Sequence, residues 1–88
     1  SINASHSGTV ILAKKYSSYG NCVIIESGEL TTLYAHCSSL NVKEGQKIKK
    51  GECIAKVGMT GNATGPHLHF EVKYQGRYID PKYILGEI

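Results

Sequence analysis

No stretch of this 88-residue chain repeats its apolar residues at the three-to-four spacing of an amphipathic helix; short alternating or apolar runs bounded by Gly, Asn and Ser recur instead. Such a pattern predicts an all-β domain, a mainly antiparallel β-sheet or sandwich with a groove and little or no helix. The expected strands cover residues 9–13, 22–26, 30–35, 47–48, 53–57, 67–73 and 78–79. Gly28, in Glu26-Ser27-Gly28-Glu29-Leu30, predicts a tight hairpin with a positive φ at the glycine, and Gln75-Gly76 predicts a second hairpin. Asp80-Pro81 stops the last strand, because proline has no donor for a sheet, and residues 82–85 form at most one helical turn.

A chain of 88 residues holds one domain, 1–88, and at 41% apolar and 19% charged its composition is that of an ordinary globular core. Its apolar runs are a few residues long, far short of the roughly 20 needed for a membrane-spanning helix. The net charge of +3 is mild, and the cluster Lys43, Lys47, Lys49 and Lys50 reads as a solvated strand face. Without a basic motif carrying interleaved aromatics, nucleic acid is not an expected partner. Three cysteines with no Cys-x-x-Cys pair indicate neither a closed disulfide framework nor a zinc ribbon, and Cys22 and Cys53, inside apolar runs, are expected to be buried free thiols. The chain opens on Ser1, which suggests a portion of a longer protein.

The chemistry collects on histidines. His67 and His69 are two apart, so on a strand both imidazoles leave one face while Leu68 and Phe70 point to the other. His36 ends the run Thr32-Leu33-Tyr34-Ala35-His36 and by alternation shares its face with Thr32 and Tyr34. His6, in Ala4-Ser5-His6-Ser7-Gly8, has no partner at a ligand-like spacing and is expected at the surface. Two glycine-bearing segments interrupt the strand rhythm, Tyr19-Gly20-Asn21 and Gly58-Met59-Thr60-Gly61-Asn62-Ala63-Thr64-Gly65-Pro66, and the second suits the rim of a cleft. No His-Glu-x-x-His and no Gly-x-Ser-x-Gly occurs, so the residues alone give a small β domain with a histidine-bearing cleft.

Taken together, Tyr19-Gly20-Asn21-Cys22-Val23-Ile24-Ile25, Leu33-Tyr34-Ala35-His36, Val42-Lys43-Glu44-Gly45-Gln46-Lys47-Ile48-Lys49-Lys50-Gly51 and the run from Gly58 through Gly65-Pro66-His67-Leu68-His69-Phe70-Glu71 resemble the lysostaphin and LytM type of zinc metallopeptidase. The resemblance implies extracellular, periplasmic or wall-associated action in a bacterium, on peptide bonds of peptidoglycan stems or cross-bridges. It also implies roles: His69 as a zinc ligand, and His36 and His67 as catalytic histidines that orient or deprotonate a zinc-bound water and stabilise the tetrahedral intermediate. The family takes its other two Zn2+ ligands from an upstream His-x-x-x-Asp motif that this sequence lacks, since Val10 stands four residues after His6. The expectation is therefore the C-terminal portion of a peptidase, with no tight zinc binding or hydrolysis by these residues alone.

Two other readings accompany it. One is a ligand-incomplete, non-catalytic relative whose groove binds wall or a protein partner in division or sporulation. The other, carried by the spacing of Val, Gly, Ile and Ala from Val42 to Ala55, is a biotinyl or lipoyl carrier, which would need a modifiable lysine at a hairpin tip.

Overall fold

The computed structural model describes residues 1–58 and 69–79. Eight strands make one sheet: β1 (Ile2–Asn3), β2 (Gly8–Lys15), β3 (Asn21–Ser27), β4 (Leu30–Leu40), β5 (Lys47–Ile48), β6 (Cys53–Val57), β7 (His69–Tyr74) and β8 (Arg77–Ile79). Every pairing is antiparallel, in the order β1-β6-β4-β3-β2-β5, with β7 on β4 and β8 on β7. The all-β expectation holds, and each expected strand that lies within the described residues is present. The sequence reading missed β1, which is only two residues long, and the 3₁₀ turn at Ser17–Tyr19. The expected turn at residues 82–85, the Asp80-Pro81 stop, His67 and nearly all of the 58–66 loop lie outside the described residues.

Both hairpins follow from their turn residues. Ser27 pairs with Leu30 across Gly28-Glu29, with Gly28 at φ 59°, while Tyr74 pairs with Arg77 across Gln75 and Gly76, both at positive φ (54° and 77°). Positive φ at these positions gives the two-residue turns a twist that matches the strands they join.

Two apolar clusters lie on opposite faces of the sheet. The larger gathers Ile2, Val10, Val23, Ile25, Tyr34, Cys37, Ile48 and Ile54, with Phe70 packed against it. Ile2 of β1 and Ile48 of β5 come from opposite ends of the strand order, so the sheet curls around this core. The smaller cluster holds Cys22, Leu33 and Ala35, flanked by Leu12, Tyr19 and Ile24. Alternation along β4 accounts for the division up to residue 35: Thr32 and Tyr34 face the core, Leu33 and Ala35 the other side.

Among the polar groups of the core, Tyr34 organises the most contacts. Its Oη accepts from the Ser5 backbone N–H at 3.0 Å and lies 2.8 Å from Ser5 Oγ and 3.0 Å from Thr32 Oγ1. Thr32 Oγ1 is in turn 2.8 Å from His6 Nε2, and His6 Nδ1 is 2.8 Å from the Ser7 carbonyl oxygen. His6 is thus half-buried and tied to β4, not the surface residue its isolation in the sequence suggested. The contact is invisible to spacing because it spans 26 residues.

Of the two cysteines expected to be buried, Cys22 is and Cys53 is not. Cys37 is buried as well, Cys53 is exposed, and none of the three is in a disulfide. Cys53 sits near the sheet's edge, where β6 is covered only by the two residues of β1. Burial pushes the Cys22 thiol up to about 12 and the Cys37 thiol up to about 11 from an ordinary 9.0.

Three outcomes follow from this packing. Tyr34→Phe strands the Ser5 N–H and removes one of the two partners of the Thr32 hydroxyl, and should lower the unfolding free energy in urea by about 1–3 kcal/mol. The raised thiol values keep both buried groups protonated in the fold while the unfolded chain ionises, so stability should fall as pH rises above about 9. In native protein one thiol, Cys53, should react rapidly with a thiol reagent, the other two only on unfolding; modification of Cys22 at the rate of Cys53 would contradict its placement.

Candidate functional site

The histidines meet through an irregularity in β4. Asn21 pairs with Cys37 and Val23 with Tyr34, so Cys22 alone on β3 stands opposite two residues, Ala35 and His36. This is a β-bulge, and His36 takes φ 60° within it, a conformation uncommon for a side chain of its size. Strict alternation would have placed His36 on the core face with Thr32 and Tyr34. The bulge turns it instead to the face of Ala35, where its ring lies 5.8 Å from that of His69, edge to face at 62°. Cys37 then returns to the core face. At the same point the second edge of β4 passes from β7, which pairs through Ala35, to β6, which pairs from Cys37.

The Tyr19-Gly20-Asn21 segment, which resisted assignment from sequence, supports this geometry. Gly20 closes the 3₁₀ turn at φ 66°, a conformation open to glycine without penalty. Asn21 Nδ2 donates to the Cys37 carbonyl at 3.1 Å, bridging the strands immediately beyond the bulge. Tyr19 projects over the site, its ring 5.8 Å from His69, and its hydroxyl donates to Glu71 Oε2 at 3.1 Å. Partial burial, and then the Glu71 carboxylate, raise the Tyr19 phenol above its ordinary 10.0, so it is a neutral donor at physiological pH.

On β7, His69 pairs with Ala35 and Glu71 with Leu33, so both side chains leave the site face while Phe70 packs its ring 5.1 Å from Tyr34 on the core side. The expected division of the strand between core anchor and exposed chemistry therefore holds for His69 and Phe70. His69 Nε2 lies 2.7 Å from Glu71 Oε2. A carboxylate accepts, so Nε2 carries the proton of that bond and Nδ1 is the nitrogen left with a lone pair in the neutral ring. The His69 side chain is 41% exposed and Glu71 21%, whereas His36 is buried at 9%. Glu71 and Tyr19 were not expected as site residues. Their signal is two-residue spacing for Glu71, which puts it beside His69, but nothing local announces Tyr19.

Among the described residues no three His, Cys, Asp or Glu side chains stand close enough to hold a metal ion. His69 offers one imidazole and Glu71 is already bonded to it, so these residues do not by themselves fit a zinc centre. His67 lies outside the described residues. Lys43, Lys47, Lys49 and Lys50 are all exposed.

Comparison with known proteins gives the arrangement a context. Residues 1–81 match the description Peptidase family M23, a match that runs through the Val42 to Ala55 stretch as well as both histidine segments. The chain is 45% identical over 74 residues to the peptidoglycan DD-endopeptidase ShyB of Vibrio cholerae, covering 83% of this chain and 17% of that protein. A zinc-containing peptidase from Vibrio cholerae superposes with a TM-score of 0.82 at 39% identity, over 94% of this chain and 25% of that one. The catalytic domain of lysostaphin from Staphylococcus simulans superposes at 0.90 and 30% identity, over 98% of this chain and 70% of that one. The chain thus spans about a sixth of the curated relative's length and a larger share of the catalytic domain. With the match covering residues 1–81 and the fold shared with these peptidases, the chain belongs to peptidase family M23.

Proposed function

We propose that these residues form part of a peptidoglycan-directed zinc metalloendopeptidase of the bacterial envelope, cleaving peptide bonds of the wall's stems or cross-bridges. The observation that carries the reading is the β4 bulge: a buried histidine is re-aimed, at the cost of a left-handed backbone, to face a second histidine on the neighbouring strand. A core or surface histidine has no need of such a conformation. Membership of the family, and a peptidoglycan endopeptidase and a zinc-containing peptidase among the similar proteins, support the same reading.

In this proposal His69 is the zinc ligand contributed by β7, held by Glu71 on Nε2 so that Nδ1 is presented. The remaining ligands belong to parts of the protein outside the described residues. His36 sits 5.8 Å from His69, ring to ring, and supplies a hydrogen bond or proton to the peptide carbonyl or leaving amine held between them. His67 is proposed as its partner in that task. An envelope location follows from the substrate, since the wall lies outside the cytoplasmic membrane. Among the described residues no helix is long and apolar enough to cross a membrane.

The proposal is tested in the full-length protein carrying these residues, with zinc content and release of soluble wall fragments measured side by side. His69→Ala should lose stoichiometric zinc. His36→Ala and His67→Ala should keep zinc and lose activity by about 10²- to 10⁴-fold. A His36→Ala variant with undiminished wall hydrolysis would remove that residue from the mechanism. Residues 1–88 alone should hold no stoichiometric, chelator-sensitive zinc.

A further inference from the structure

Beside the histidines, on the same face of the sheet, lies a cavity of about 210 Å³. Its floor is Ile24, Thr31 and Leu33, and Tyr16, Tyr19 and Tyr78 wall it. The Tyr16 and Tyr19 rings lie parallel within 3°, with centroids 6.0 Å apart, which gives one wall a stiff aromatic edge. The volume is below the range of about 300–1,000 Å³ typical of small-molecule sites, and suits a single residue's side chain.

Strand register fixes where the cavity lies relative to the site. Across β4 and β7, Ala35 faces His69, Leu33 faces Glu71 and Thr31 faces Lys73. Each step of two residues advances about 6.6–6.8 Å, so the cavity extends roughly 7–13 Å from the His69 register. An extended peptide crossing the histidines along the strands would reach it about two to four residues from the bond held there.

The two charged groups of the cavity are unequal. Glu71 is occupied, accepting from Tyr19 and bonded to His69. Lys73 makes no ion pair among the described residues; its ammonium lies 4.6 Å from the centroid of the Tyr78 ring. A ring face orients an ammonium without neutralising it, so the cation stays available to a ligand. Glu26, opposite Thr31 in register, does not reach Lys73 as an ion pair. The cavity therefore combines an apolar floor, aromatic walls and, at the end away from the histidines, one cation without an ion pair among the described residues.

We infer that this cavity is a specificity pocket for an aliphatic group ending in a carboxylate, borne by the peptide bound across the histidines, with Lys73 as the anion's partner. The inference rests on the reading that this face binds a wall peptide, and adds which part of it is recognised. Lys73 is a binding residue here, and the histidine chemistry proceeds without it.

The test measures binding rather than hydrolysis, by calorimetry on the full-length protein carrying these residues. The probes are two capped pentapeptides, acetyl-Ala-Ala-Glu-Ala-Ala-amide and its Gln counterpart, whose alanine backbones leave the register free for the pocket to select. The acid should bind about three- to tenfold more tightly than the amide. Lys73→Gln should bring the two within twofold, and Lys73→Glu should reverse the preference. Equal affinities in the unaltered protein, binding of neither peptide, or an acid preference that survives in both correctly folded Lys73 variants would overturn the pocket. A protein that prefers the acid but never hydrolyses wall would leave the pocket standing and overturn the endopeptidase reading.

Discussion

The bulge opposite Cys22 is the constraint on which the site depends. A regular β4 would send His36 into the core beside Tyr34, leaving His69 alone on the opposite face. One additional residue on β4 reverses that outcome and lets the strand exchange neighbours, from β7 to β6, at the same position. The cost is a histidine at φ 60° and a locally broken ladder. Asn21 contributes on one side by holding the Cys37 carbonyl, and Cys22 on the other by being small enough to lie buried under the paired residues.

The core side supplies the rigidity that such a strained turn requires. Thr32 and Tyr34, at 0% and 1% exposure, are bonded to one another and to the Ser5–His6 segment. Tyr34 also meets Phe70, which anchors β7 one residue from His69. Each of the two histidine-bearing strands therefore has an aromatic pinned on the core side, and the two aromatics touch. The spacing between His36 and His69 is set on the face where neither resides.

How far this was legible in the sequence depends on the range of the interaction. The strand pattern, the Gly28 hairpin and the outward direction of His69 follow from alternation and turn chemistry, which act over two to four residues. His36 illustrates the opposite case: its position was apparent, but its direction was misread, because a bulge depends on the register between two strands and leaves no period-two signature. His6 and Cys53 were misplaced for a related reason. Local sequence indicates whether a run is apolar, but not that Thr32 will reach His6 or that β6 will lie near a thinly covered edge. Glu71 and Tyr19 meet across 52 residues, and only the folded sheet joins them.

The topology also divides the site into a local and a non-local part. β3 and β4 are joined by a two-residue turn, so the hairpin that contains the bulge closes locally and at little entropic cost. His69 joins it only when Ala35 pairs with its own partner on β7, closing a loop over residues 36–68. A contact of that span costs more chain entropy to close than the hairpin does. The bulge is therefore carried by strands adjacent in the chain, whereas the two-histidine face is a non-local feature that exists only once β7 has paired with β4.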